Sequence, residues 1–327
     1  MARSFSGIQP TGDVHLGNYL GALRFWVSEQ NQHECFFSIV DLHAITSAQS
    51  PAELRSKTLD TAALLLAIGI DPLASALFVQ SHVHEHAELA WVLNCLTTFG
   101  ELQRMTQFKD KTSRERGSPT NAGLFVYPAL QAADILLYQT DRVLVGEDQR
   151  QHLELARTLA GRFNHRFGPV FRLPEAVVPK MGARTMDLQD PRRKMSKSSE
   201  SQRGVLRLAD APEVIRDKIR SAVTDSGREI LASANKPAVT NLLTIYAALT
   251  GKTLRAVEDA FGGSSYEQFK TALADTLIEA LRPIRERFGR FKDSPDEVVR
   301  WLEAGARRAT TIASATLRVV YERVGFL

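Results

Sequence analysis

The strongest constraint on the fold is an alternation, through the first half of the chain, of short apolar runs with longer stretches of helical period. Residues 5–8, 34–40 (Cys35-Phe36-Phe37-Ser38-Ile39-Val40) and 76–79 read as strands, and 18–29, 51–68 and 85–98 as helices, the second opening on Pro51. Strands joined by helices rather than by tight turns run parallel, which predicts an α/β fold of Rossmann type, a parallel sheet with crossover helices. The pattern continues with a helix over 128–137, a strand over 142–145 and a helix over 149–163. Beyond Asp210 it changes to helices almost without strands: 212–223, 239–249, 265–288 and 295–324. This predicts an α/β domain over 1–206 and a smaller all-helical domain over 207–327, with the last helix able to pack back on the first.

With 327 residues, 44% hydrophobic and 24% charged, the chain is an ordinary globular one. A net charge of +4 and an Arg-rich C-terminal third suit a polyanionic partner or a solvated basic surface. Cys35 and Cys95 fall in apolar runs and are expected to be buried thiols, with no disulfide framework. No stretch approaches membrane-spanning length and the N-terminus lacks an apolar signal region, so the expectation is a cytoplasmic protein without a membrane partner. Residues 109–119 are charged and close on Gly117 and Pro119, reading as an exposed loop. His82, His84 and His86 alternate, which suits either a zinc site or polar loop residues, and the segment's place between strand and helix favours the latter.

Two segments carry chemistry. Pro10-Thr-Gly-Asp-Val-His15-Leu-Gly-Asn18 follows the first strand, where ligands of parallel sheets bind, and leads into a helix whose N–H groups favour anions. Far downstream, Lys194-Met-Ser-Lys-Ser198 places two cations on a small-residue loop. Together they suggest an ATP site: Lys194 and Lys197 to neutralise a leaving pyrophosphate, Ser196 and Ser198 to donate hydroxyls, His15 to donate to phosphates and Asn18 to fix the turn. Lys180, Arg184, Arg192 and Arg193 are further cations nearby. Gly146-Glu147-Asp148-Gln149 offers a second strand-end turn.

These segments resemble the signatures of class I aminoacyl-tRNA synthetases. The likeness to bacterial tryptophanyl-tRNA synthetases runs nearly end to end, through residues 5–12, 15–22, 40–46, 100–109, 132–138 and 145–149 as well as 194–198, with Gly100-Glu-Leu-Gln-Arg-Met-Thr-Gln-Phe-Lys109 and Ala132-Ala-Asp-Ile-Leu-Leu-Tyr138 the most specific. The resemblance implies activation of L-tryptophan with ATP and Mg²⁺, transfer to the 3′ end of tRNA(Trp), a helical domain that recognises the anticodon, and a homodimer with the helix over 85–99 in its interface. It implies ATP contacts from Gln9, Pro10, Thr11, His15, Gly17, Asn18, Gly146, Glu147, Asp148, Thr185, Lys194, Met195, Ser196, Lys197 and Ser198, with His15, Asn18, Lys194 and Lys197 catalytic and no side-chain metal site. Tryptophan is expected among Phe5, Gly7, His43, Tyr127, Asp134, Val143, Val145 and Gln149. A buried carboxylate at Asp134 suits the donor-only indole N–H, and phenylalanine, lacking that donor, would be rejected by roughly 10⁴-fold or more; the alternative is an Asp134 paired with Arg142.

Two positions depart from the family pattern. Gln131 stands where Met is usual and resembles the Gln with which tyrosyl relatives hold the substrate ammonium, so it is expected to contact the amino group of tryptophan. Ser199 replaces an Asp after the lysine loop. A tyrosyl-tRNA synthetase and a non-catalytic RNA-binding paralogue are the rival readings; the tryptophan-type segments oppose the first, and retention of His15, Lys194 and Lys197 opposes the second.

Overall fold

The computed structural model describes residues 1–106, 121–146, 149–177, 185–196 and 201–327. Five parallel strands form one sheet in the order β3-β2-β1-β4-β5: β1 (Arg3–Ile8), β2 (Glu34–Ile39), β3 (Ala76–Val79), β4 (Arg142–Leu144) and β5 (Glu175–Val177). β1 faces β2 from Arg3↔Glu34 to Ile8↔Ile39 and faces β4 through Ser4↔Arg142 and Phe5↔Val143. The chain leaves β1 in one direction across the sheet and returns to its other side at β4. The crevice at the carboxyl ends of β1 and β4 is therefore the switch point at which such sheets bind ligands.

Both faces of the sheet are buried, which the near-continuous apolar strands require. Cys35, Phe37 and Ile39 point into one apolar cluster and Phe36 into the other. Burial pushes the Cys35 thiol up to about 12, reinforced by the Glu29 charge. Cys95, by contrast, is exposed: it caps the C-terminal end of α5 (Glu85–Asn94), one turn after the exposed Trp91.

Local punctuation sets the helices. The helix α4 (Pro51–Ile68) is capped by Ser50, whose hydroxyl accepts the Glu53 N–H at 3.1 Å, begins on Pro51 and ends at Gly69 with φ 111°. The helix expected over 18–29 starts earlier, as α1 (Leu16–Asn18), and runs through a π-helical stretch (Tyr19–Leu23) into α2 (Arg24–Glu29). The helix expected from Pro128 is longer: α7 (Ala122–Leu136) is capped by Asn121, and Pro128 lies inside it. Short α3 (Asp41–Ala44), α6 (Phe99–Gln103) and edge strand β5 had no sequence expectation.

After α8 (Arg150–Phe167) and the segment holding β5 come α9 (Pro212–Arg220), α10 (Pro237–Thr250), α11 (Leu254–Ala260), α12 (Tyr266–Lys292) and α13 (Pro295–Val324). The first four share one apolar cluster with α4 and the β2–β3 face of the sheet. α13 passes from that cluster, through Val298 and Leu302, into the opposite one, through Ala306, Ala309, Ala313, Leu317 and Val320. It thereby wraps the exposed edge of β3. Contact is close because Gly305 has no side chain: a Cβ there would land on the Leu77 carbonyl. Arg308 completes the seam by donating to the Ser75 carbonyl at 3.0 Å and the Leu73 carbonyl at 3.2 Å.

Gly305→Ala should force α13 away from the strand and lower stability by about 1–3 kcal/mol in chemical denaturation. Gly289→Ala on α12, where a Cβ meets nothing within 4 Å, should be neutral or stabilising; similar losses in both would remove the close-approach explanation.

Candidate active site

The turn after β1 is organised by a reciprocal cap. The Asn18 N–H donates to His15 Nδ1 at 3.3 Å, and the His15 N–H donates to Asn18 Oδ1 at 3.2 Å. With Nδ1 accepting, the ring proton sits on Nε2, so the cap sets His15 as a donor on its other nitrogen. A Cβ on Gly17 would sit 3.0 Å from His15 Nδ1 and 3.6 Å from Thr185 Cβ, so glycine is what lets the ring and Thr185 lie side by side. Thr185 is buried, and its Oγ1 has no hydrogen-bond partner among the described residues.

The first signature segment is tied by a short antiparallel strap to residues 206–208, which follow the lysine loop. The Leu16 N–H donates to the Leu206 carbonyl at 2.7 Å, the Leu208 N–H to the Val14 carbonyl at 3.2 Å, and His15 faces Arg207. Asp13 holds the strap from beneath, 3.0 Å from Arg207 Nε and 2.5 Å from Lys57 Nζ. Buried Lys218 of α9 fastens its far side, donating to Asp210 Oδ2 at 2.7 Å and to the Val205 carbonyl at 2.8 Å. Just before the lysine loop, Met186 faces Lys194 and the Met195 N–H donates to the Thr185 carbonyl at 3.0 Å. Asn241 of α10 grips this hairpin through both backbone groups of Met186, at 2.8 and 3.0 Å.

Of the residues expected around ATP, His15, Gly17, Asn18, Thr185, Lys194 and Met195 belong to this connected unit. Lys194 is exposed and Met195 buried; Ser196 follows, half-buried. Gln9, Pro10 and Thr11 lead from β1 into the turn, and Gly146, at the end of β4, accepts the Gln149 N–H at 3.0 Å. Glu147, Asp148, Lys197 and Ser198 lie outside the described residues, as do Lys180, Arg184, Ser199 and residues 109–119.

The residues expected around tryptophan fall into two sets, one on the strands and one on the helices. Phe5 and Val143 are paired on β1 and β4, and Val145 is tied to β5 through the Val177 carbonyl at 3.1 Å. Gly7 lies one strand from Val40, whose Cγ1 would be 2.9 Å from any Cβ added there. His43 of α3 meets Tyr127 edge-on at 6.1 Å and Asp134 at 2.7 Å through Nε2. The Tyr127 hydroxyl lies 2.7 Å from His152 Nε2, and burial pushes that phenol up to about 12. Gln131 Nε2 donates to Gln149 Oε1 at 3.3 Å, linking α7 to the start of α8.

Asp134 is buried, and Arg142 is not its partner: Arg142 Nε pairs with Glu29 at 3.2 Å. Besides His43 on Oδ2, the Asp134 carboxylate receives Gln80 Nε2 and His86 Nδ1, each 2.6 Å from Oδ1, and His86 Nε2 lies 2.7 Å from the Tyr138 hydroxyl. Burial pushes the Asp134 carboxyl up, but His43 and then His86 outweigh it and hold it well below the usual carboxylate range. The reading of His86 as a polar loop residue is thus overturned. His86 lies inside α5, fully buried, while His82 and His84 remain exposed. Gln80 and Tyr138 were also missed, and the sequence signal for all three was only a polar residue inside an apolar helical or strand-end pattern.

A family model described as tRNA synthetases class I (W and Y) matches residues 1–282. The tryptophan–tRNA ligase 2 of Streptomyces avermitilis is 51% identical over 327 residues, covering 99% of this chain and 97% of that one. Among solved structures, tryptophanyl-tRNA synthetase from Mycoplasma pneumoniae superposes with a TM-score of 0.92 at 41% identity, covering 100% of this chain and 98% of that one. The Campylobacter jejuni enzyme complexed with ADP and tryptophan does so at 0.86 and 34% identity, covering 99% and 100%. With a switch-point crevice, a capped His-x-Gly-Asn turn strapped to the residues that follow the lysine loop, and likeness over the whole length, the chain belongs to the class I tRNA synthetases for tryptophan and tyrosine, on the bacterial tryptophanyl branch, whose reaction is ligation of tryptophan to its tRNA.

Proposed function

We propose that ATP and L-tryptophan lie side by side in the crevice at the ends of β1 and β4, where the carboxylate of tryptophan attacks the α-phosphorus and pyrophosphate leaves. The observation that carries this reading is the strap between residues 14–16 and 206–208, which sets the His15 turn beside the hairpin that leads into the lysine loop. No side-chain nucleophile is required: the substrate supplies it, and the protein supplies position and charge. His15 donates to phosphate through Nε2, Asn18 fixes that tautomer, and Lys194 and Lys197 take up charge that grows on the leaving group. Gln9, Pro10, Thr11, Gly146, Glu147, Asp148, Met195, Ser196 and Ser198 complete the nucleotide contacts.

Mg²⁺ would enter with the nucleotide, held chiefly by phosphate oxygens and water. Thr185 Oγ1, buried beside Gly17 with no hydrogen-bond partner among the described residues, is a neutral oxygen suited to such an ion or its water. When bound, the ion supplies further charge neutralisation to the departing pyrophosphate.

Asp134 accepts the indole N–H, Phe5, Val143 and Val145 enclose the ring, and Gln131, whose Nε2 is engaged by Gln149, offers its carbonyl oxygen to the ammonium. Residues 207–327 read the anticodon of tRNA(Trp) as a helical unit, with α13 returning to the sheet. The protein works in the cytoplasm as a homodimer; Trp91, 69% exposed, and Phe99, 66% exposed, support an interface on the α5 side.

Purified protein should exchange labelled pyrophosphate into ATP with tryptophan and with no other standard amino acid; exchange driven by tyrosine, or by none, would overturn the reading. Lys197→Ala should slow adenylate formation by roughly 10²-fold or more while leaving tryptophan affinity nearly unchanged, because its charge is needed in the transition state. Equal losses in rate and affinity would remove that role. Gln131→Met should raise the KM for tryptophan by roughly tenfold, as expected for one hydrogen bond to a charged group, and an unchanged KM would exclude the ammonium contact.

A further inference from the structure

The carboxylate of Asp134 is largely saturated by the protein itself. It has about four acceptor positions, and three are filled: Gln80 Nε2 and His86 Nδ1 on Oδ1, His43 Nε2 on Oδ2. One acceptor position remains, on Oδ2. We infer that His86, with Gln80 beside it, is a positioning residue that fixes Oδ1 in the protein so that Oδ2 alone serves the substrate, and that it thereby sets the preference for a ring bearing an N–H. The inference rests on the reading of Asp134 as acceptor of the indole N–H.

His86 is suited to this because its own two nitrogens have fixed roles. An ionised carboxylate only accepts, so Nδ1 carries the proton; Nε2 then accepts from the Tyr138 hydroxyl 2.7 Å away. Tyr138 is locked in turn, stacked on Phe36 at 4.6 Å and on Phe5 at 5.6 Å, and buried completely. The phenol cannot easily lose its proton, since burial and then the Asp134 charge push it well above its ordinary value. The line from Tyr138 through His86 to Asp134 therefore has one direction of donation.

Without these donors, Oδ1 would be a buried, unpaired anionic oxygen. Two changes would relieve it: rotation of the carboxylate toward His43, or uptake of a proton. Either one weakens recognition: rotation moves Oδ2 away from the substrate, and a proton on Oδ1 turns Oδ2 from an anionic acceptor into a weaker carbonyl one. His86 would thus act through Asp134 and not by touching tryptophan.

The test compares tryptophan with 3-benzothienyl-L-alanine, in which sulfur replaces the ring N–H, using kcat/KM in amino-acid-dependent pyrophosphate exchange. The unaltered protein should prefer tryptophan strongly. His86→Leu should lower kcat/KM for tryptophan roughly 10- to 100-fold, the size of one or more hydrogen bonds to a charged group, with little change for the sulfur analogue or for the KM of ATP. His86→Asn, whose Nδ2 can stand in for Nδ1, should restore much of the preference. If His86→Leu does not fold, Gln80→Met, which removes the other donor to Oδ1, should show the same selective loss. Parallel losses for both amino acids, or a preference that survives, would overturn the inference alone. No preference in the unaltered protein would overturn the reading of Asp134 and the inference with it.

Discussion

The His15 turn keeps its place against the residues after the lysine loop through two backbone hydrogen bonds, Leu16 N–H to Leu206 and Leu208 N–H to Val14. Parallel sheets position ligands with loops, and loops are the least constrained part of such a fold. The strap turns two loops into one short antiparallel ladder. Its anchors are charged and partly or wholly buried: Asp13 between Lys57 and Arg207, Lys218 on Asp210. A buried ion pair is costly to desolvate and costlier to break, so its geometry is held more firmly than its net stabilisation would suggest. The strap also joins the helices after residue 210 to the α/β sheet, since Asn241 and Lys218 reach the lysine-loop hairpin and the strap from that side.

Much of the α/β half was legible because its signals are local. α4 was readable to the residue from its helical period and its opening on Pro51, and β3 from four apolar residues in a row. The π-helical stretch Tyr19–Leu23 and the passage of α7 through Pro128 were not, because tertiary contacts decide them and propensity argues against the second. β5 is three residues on an exposed edge, too short and too polar to show a period. At the site, the residues proposed for phosphate came from two segments of unusual composition. Those proposed for tryptophan came from family likeness, and the layer behind them did not come at all. His86 sat in a run of alternating histidines that looked strand-like, whereas helix α5 begins at Glu85 and turns only His86 inward.

The polar cluster around Asp134 illustrates how a buried charge is kept without a basic side chain such as Arg or Lys. Two imidazoles and an amide surround one carboxylate, and two of the three have a further partner: His86 Nε2 meets the Tyr138 hydroxyl, and Gln80 accepts the Leu42 N–H at 3.1 Å through its carbonyl oxygen while its nitrogen serves Asp134. Connected networks of this kind are rigid because no member can rotate without orphaning another. On the proposed reading, the rigidity falls where a flat aromatic substrate must be told from rings of similar size, whereas the phosphate side depends on exposed cations such as Lys194. Recognition of the amino acid and handling of phosphate would then fall to regions of opposite mechanical character.

The course of α13 has a consequence for biogenesis. The edge of β3 stays bare until residues 295–324 return to cover it, yet β1, β2 and β3 are all made within the first 79 residues. A growing chain on the ribosome therefore carries an uncapped, hydrophobic sheet edge through most of its synthesis, the kind of surface that pairs with other chains. The order of the sequence thus separates the making of the β3 edge from the making of the helix that covers it.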